Sequence, residues 1–129
     1  MKNQYRVSAE QATKWGMSLL TKCNLNEKDA AIIIEKLVLT SLRGVDTHGF
    51  TMLRNYARRF AVMKCRPIEV VQESETTCLI DAGDNYGILA STFAMNKAIE
   101  KAEKYGSGIA SVRNSNHFGA AANKNQKRD

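Results

Sequence analysis

Apolar positions along this chain recur at helical spacing, then alternate, then return to helical spacing, and the elements follow from those changes of period. Ser8 followed by Gln11 is a capping-box pattern, and Ala12, Trp15, Leu19 and Leu20 then share one helical face. A first helix is therefore predicted over residues 9–22. Asn24 to Asn26 ends it, and Asn26 with Asp29 three residues on starts a second helix. Its apolar face runs Ala30, Ile33, Ile34, Leu37, Val38 and Ser41. Gly44 stops this helix inside RGVDTHG, and a third is predicted from near Thr51, burying Leu53, Tyr56, Ala57 and Phe60. RGVDTHG is then a connection between helices.

Beyond Pro67 the period shortens. Residues 68–72 and 77–81 read as two strands of a hairpin, joined by the polar turn Glu73, Ser74, Glu75. AGDNYG leads into the strongest helical pattern, residues 87–105, with Ile88, Ser91, Thr92, Met95, Ala98, Ile99 and Ala102 on the expected inner face. Gly106 and Gly108 end it, and residues 109–112 form a short β-branched strand. Residues 77–113 thus make a strand, a crossover helix and a strand, expected to be parallel and right-handed. An open parallel sheet places ligands beyond the carboxyl ends of its strands, where RNSNHFG lies. The expected class is α/β: a helical region over 1–66, an αβ region with a βαβ unit over 67–122, and a polar tail over 123–129.

Composition narrows the function classes. A chain of 129 residues, 43% hydrophobic, can bury about two thirds of its unfolded surface in one domain. No apolar run approaches the roughly 18 residues of a membrane span, and the first residues lack a signal-peptide core, so a soluble, cytoplasmic protein is expected. Cys23, Cys65 and Cys78 are odd in number and without a CxxC pair, which suits reduced thiols, read as small buried hydrophobes. The net charge of +6 comes from 19 Lys+Arg against 13 Asp+Glu. Lys124, Lys127 and Arg128 crowd the end, and the other bases are mostly interleaved with acids, as in AIEKAEKYG. A solvated surface explains this better than a nucleic-acid interface.

Candidate chemistry rests on the only two histidines, each followed closely by glycine in a connecting segment: His48 in DTHGF and His117 in NSNHFG. Imidazole is the side chain whose ordinary pKa, about 6.5, suits proton transfer near neutrality, and loops carry functional groups more often than element interiors do. Taken singly, each is more often a capping loop residue. Neither has the His, Cys or carboxylate spacing of a metal site, and Asp46, two residues before His48, is better cast as an orienting partner, so no metal is expected. GxSxG, GxxxxGK[ST], HExxH and GxGxxG are all absent; GDNYG departs from the glycine spacing of a dinucleotide fingerprint.

LRGVDTHGF, DAGDNYG, AMNKAIEKAEKYG and VRNSNHFGAAA, in that order and spacing, resemble the malate/L-lactate dehydrogenase-like oxidoreductases, a family distinct from the Rossmann lactate dehydrogenases. The resemblance reaches nearly to Ala122 and implies the amino-terminal part of that fold. It implies hydride transfer between NAD or NADP and a 2-hydroxy or 2-keto acid, in a homodimer. His48 becomes the first proton-transfer candidate, with His117 beside the substrate or as proton carrier. Arg43 and Asp46 would hold or orient the His48 loop, while Asn116 and Ser115 would hydrogen-bond substrate or nicotinamide. Many members carry an arginine four residues after the loop histidine, where this chain has Met52; Arg54 is the nearest substitute. Most cofactor-binding residues of the family lie beyond this length, so a fragment inactive by itself is expected. The competing readings are a non-catalytic dimerisation module and a nucleic-acid-binding module.

Overall fold

Helix α1 (Ala9–Lys22) begins where Ser8 accepts the Gln11 N–H, and α2 (Glu27–Leu42) begins where Asn26 accepts the Asp29 N–H. In each case the cap supplies an acceptor to an amide that the helix itself leaves unpaired. The computed structural model describes residues 5–124. The chain divides into two compact units, residues 1–63 and 64–129.

In the first unit, α1 and α2 pack together with α3 (Leu53–Phe60). The face of α2 is buried as its periodicity predicts, with Ala30, Ile33, Ile34, Leu37 and Val38 enclosed, while Ser41 is half-buried. Each fully enclosed Ile or Leu contributes roughly 1.5 to 3 kcal/mol of burial. The face of α1 differs from expectation. Ala12, Gly16 and Leu20 are buried, whereas Trp15 is 54% and Leu19 38% exposed. The cause is Gly16: without a side chain it lets α1 settle directly against Ile34, and this close approach turns Trp15 and Leu19 outward. The third helix also starts later than expected, at Leu53, because Asp46–His48 and Phe50–Met52 form two short 3₁₀ turns first.

The second unit is a three-stranded sheet with one long helix. Strand β1 (Glu69–Glu73) pairs antiparallel with β2 (Thr77–Asp81), and β2 pairs parallel with β3 (Ile109–Arg113), giving the order β1-β2-β3. Helix α4 (Gly87–Tyr105) forms the crossover. The hairpin and the parallel βαβ unit match the sequence reading, with β1 displaced by one residue. A bulge between Val70 and Gln72 leaves Val71 without a partner on β2, and Ser74 closes the turn by bonding Thr77, so Glu73 is paired opposite Cys78.

Cys78, Ile80 and Ala94 form the buried centre, flanked by Ile68, Val70, Phe93 and Ala110. Of the expected inner face of α4, Ile88 is buried, but Ser91, Thr92, Met95, Ala98, Ile99 and Ala102 are half-buried. Leu89, Ala90, Ala94 and Lys101 are enclosed instead. Small residues let the helix axis come close to the sheet there, and Lys101 finds partners by reaching Glu73 Oε1 at 2.8 Å and the Ser74 carbonyl. Cysteine burial is also uneven. Cys78 is buried as expected, but Cys23 is half-buried and Cys65 exposed, since Cys65 lies in the irregular stretch before β1. A short 3₁₀ turn covers Ala121–Lys124, and the rest of the expected polar tail, 125–129, lies outside the described residues.

Candidate functional site

The first unit presents the DTHG segment. Helix α2 ends at Leu42 with Arg43 as its cap, and Gly44 reverses the chain with φ of 77°, a conformation that glycine adopts without Cβ strain. The Val45 N–H then donates to the Thr40 carbonyl at 3.2 Å. Ser41 Oγ accepts from Phe50 N at 2.8 Å, and buried Gly49 lies against Ser41, where an added Cβ would overlap the hydroxyl and the backbone of α2. The Asp46 carbonyl accepts from Gly49 N and from the Thr51 hydroxyl. Thr47 Oγ1 lies 3.0 Å from His48 Nδ1 and so orients the exposed ring. Arg43, Asp46 and His48 share this exposed segment, and Arg54 is exposed on α3. Met52 is half-buried, with the Asn55 amide 3.9 Å from its sulfur.

The second unit presents NHFG at the carboxyl end of β3, as expected for a parallel pair. What holds it there is Asp81, the last residue of β2, whose side chain is 11% exposed. Its Oδ1 accepts the Gly83 N–H at 2.9 Å, an Asx turn, and faces Arg66 Nη2 at 3.5 Å. Its Oδ2 accepts from Arg113 Nε at 3.1 Å and Asn114 Nδ2 at 2.8 Å. One carboxylate thus joins the two segments that leave the parallel strands. Main-chain bonds reinforce it: Ala82 N to the Arg113 carbonyl and Asp84 N to the Asn114 carbonyl, both at 2.9 Å. The Asn116 amide donates to the Asp84 carbonyl at 2.9 Å, and Gly87 N donates to the His117 carbonyl at 3.1 Å. Gly87 is sterically required, because a Cβ there would overlap the Asn116 carbonyl oxygen and crowd His117 and Phe118.

These bonds decide the chemistry of two groups. The Gly83 N–H foremost, then Asn114, Arg113 and the charge of Arg66, hold the Asp81 carboxyl below the usual carboxylate range, against a desolvation that pushes it up. Gly119 N–H points at His117 Nδ1 at 3.4 Å, so Nδ1 presents its lone pair and the neutral ring carries its proton on Nε2. His117 is exposed.

Sequence reasoning named His117 and Asn116 as candidates but not Asp81, Gly87, Arg113 and Asn114, which hold their segment in place. The signal was present: Asp81, with glycine two residues on, ends a strand whose parallel neighbour ends in Arg113 and Asn114. Among the described residues no group of three His, Cys, Asp or Glu could hold a metal ion. Nor is any helix among them long and apolar enough to cross a membrane.

Comparison with known proteins agrees over nearly the whole chain. A family model described as malate/L-lactate dehydrogenase matches residues 7–127. Malate dehydrogenase from Pyrococcus abyssi is 34% identical over 122 residues, covering 92% of this chain and 34% of that protein. L-sulfolactate dehydrogenase from Methanothermobacter thermautotrophicus is 32% identical over 119 residues, covering 90% of this chain and 35% of the relative. The structure of malate dehydrogenase from Pyrococcus horikoshii superimposes with a TM-score of 0.90 and 34% identity, over 96% of this chain and 36% of that one. The chain therefore spans about a third of the length of the curated relatives it matches. With a family match over residues 7–127, the chain belongs to the malate/L-lactate dehydrogenase family.

Proposed function

We propose that this chain carries the proton-handling segments of an NAD(P)-dependent dehydrogenase acting on a 2-hydroxy or 2-keto acid. The observation that carries the reading is the His117 segment, fixed at the carboxyl end of a parallel strand pair with its Nδ1 toward the Gly119 N–H. The names of the relatives, malate and L-sulfolactate dehydrogenase, support the substrate class.

In this reading the nicotinamide, when bound, supplies or takes up the hydride. The residues of the chain handle the accompanying proton and the acid. His48, oriented through Thr47, delivers or removes a proton at the substrate oxygen through Nε2, and His117 is the second carrier, holding its proton on Nε2. Arg43 and Arg54 are the cations proposed to meet the substrate carboxylate, and Asp46 shapes the His48 turn through its carbonyl. Asn116 serves by position, since its amide hydrogens point to the Asp84 and Asn85 carbonyls, which leaves Ser115 as the polar neighbour for a nicotinamide amide.

The amino terminus of α4 is a poor seat for the phosphate end of the cofactor. A dinucleotide pyrophosphate commonly rests on open amides at a helix amino terminus, but the first amide of α4, at Gly87, already donates to His117. Phosphate recognition is accordingly not assigned to α4. We further propose that the protein works as a soluble homodimer in the cytoplasm, a compartment that suits its three free cysteines.

The test is a chimera in which residues 7–124 replace the matched segment of Pyrococcus abyssi malate dehydrogenase. NADH and NADPH oxidation is then followed with a panel of 2-keto acids. Turnover is expected, and His48→Ala should lower it at least about 100-fold. A chimera whose turnover is indifferent to both His48→Ala and His117→Ala removes the histidines from the reaction.

A further inference from the structure

We propose that Asp81 is the positioning residue of the NHFG segment: its carboxylate fixes His117 by binding both segments that leave the parallel strands. For the reaction, this rests on the reading of His117 as a proton carrier; for the geometry, it does not.

The argument begins with burial. A carboxylate that is 11% exposed is costly unless its oxygens receive donors, and here they receive four. The donors are divided by origin. Gly83 and Arg66 approach Oδ1 from the segment after β2 and the approach to β1, while Arg113 and Asn114 approach Oδ2 from the end of β3. Asn114 stands at φ of 52°, a left-handed turn that starts the path toward Asn116 and His117. Its side chain bonds Asp81 and its carbonyl receives Asp84 N, so the turn is held from both sides.

Three residues later the His117 carbonyl caps Gly87, and the Gly119 N–H meets Nδ1 of the ring. The main chain that carries the ring thus takes its direction at Asn114. An uncharged isostere cannot replace Asp81. In Asp81→Asn one side-chain oxygen becomes an NH2 group, which would face donors on whichever side it was placed.

The experiment uses the 129-residue chain and reads the imidazole nitrogens of both histidines and the Gly119 amide by heteronuclear NMR. Two variants are compared, Asp81→Asn and Asn114→Gly. The second removes one bond to Asp81 while keeping a residue that tolerates the left-handed turn, so it stays informative should Asp81→Asn fail to fold. Expected are a shift or broadening of the His117 ring and Gly119 signals in each folded variant, with the Thr47–His48 signals unmoved. In the chimera described above, each variant should lower kcat by about 100-fold with KM within about threefold, as misplacement of a proton carrier does. Unchanged His117 and Gly119 signals in folded Asn114→Gly overturn the proposal. Displaced signals with undiminished chimera turnover uphold the positioning and overturn instead the part given to His117 in the reaction.

Discussion

Asp81 shows how much one side chain decides in a small sheet. Its carboxyl is held below the ordinary range mainly by the Gly83 N–H, so the folded state prefers it ionised. An acid with a depressed folded pKa stabilises the fold fully above its unfolded value, near 4, and loses that contribution as pH falls through the folded value. Urea midpoints measured from neutral pH down to acid should therefore fall less steeply in Asp81→Asn than in the parent chain, the gap between them closing below about pH 4. A parallel decline in both proteins would show that Asp81 is not the titrating group. This residue was hidden in the sequence because DAGDNYG reads as an ordinary turn-rich connection. Its partners at the end of β3, Arg113 and Asn114, are 32 and 33 residues away, a separation that local patterns do not report. His48 and His117, by contrast, stand out as candidates by residue type alone, each a histidine beside glycine in a connecting segment.

At the scale of elements, capping and period were sufficient for α1, α2, β2 and α4, whose ends are set by local bonds such as those of Ser8 and Asn26. Which face each helix buries was less legible. That choice belongs to the neighbour, and for α1 the deciding contact is Gly16 on Ile34. An alanine at 16 would gain up to about 1 kcal/mol of helix propensity. Overpacking against the enclosed Ile34 would cost about 1 to 3 kcal/mol, so the packing penalty wins. Gly16→Ala should lower stability by about 1 kcal/mol in chemical denaturation, and in an Ile34→Val background, which lacks the obstructing δ carbon, it should be neutral or stabilising. An equal loss in both backgrounds would mean that something other than this contact keeps position 16 bare. The bulge at Val71 and the two 3₁₀ turns before α3 were likewise illegible, because each depends on pairing partners rather than on the residues themselves.

For the whole molecule, the α/β class and the family were readable from four short motifs, and the charge of +6 added little beyond a solvated surface. The three-stranded sheet ends at β3, which among the described residues pairs only with β2, and Ile109 on it is 63% exposed. Strands with an unpaired edge and apolar side chains invite pairing between molecules. The apparent mass of the chain in light scattering should therefore rise with concentration, and Ile109→Lys should suppress that rise. Equal association in both proteins would place the contact elsewhere, for instance at Trp15 and Leu19 on α1.

A carboxylate with donors on both flanks makes residues 82–86 and 114–119 a single mechanical part. Whatever pulls on one stretch pulls on the other, so a ligand that tugs at Phe118 would be felt at Tyr86, and an insertion or deletion in either stretch would have to be matched across the gap.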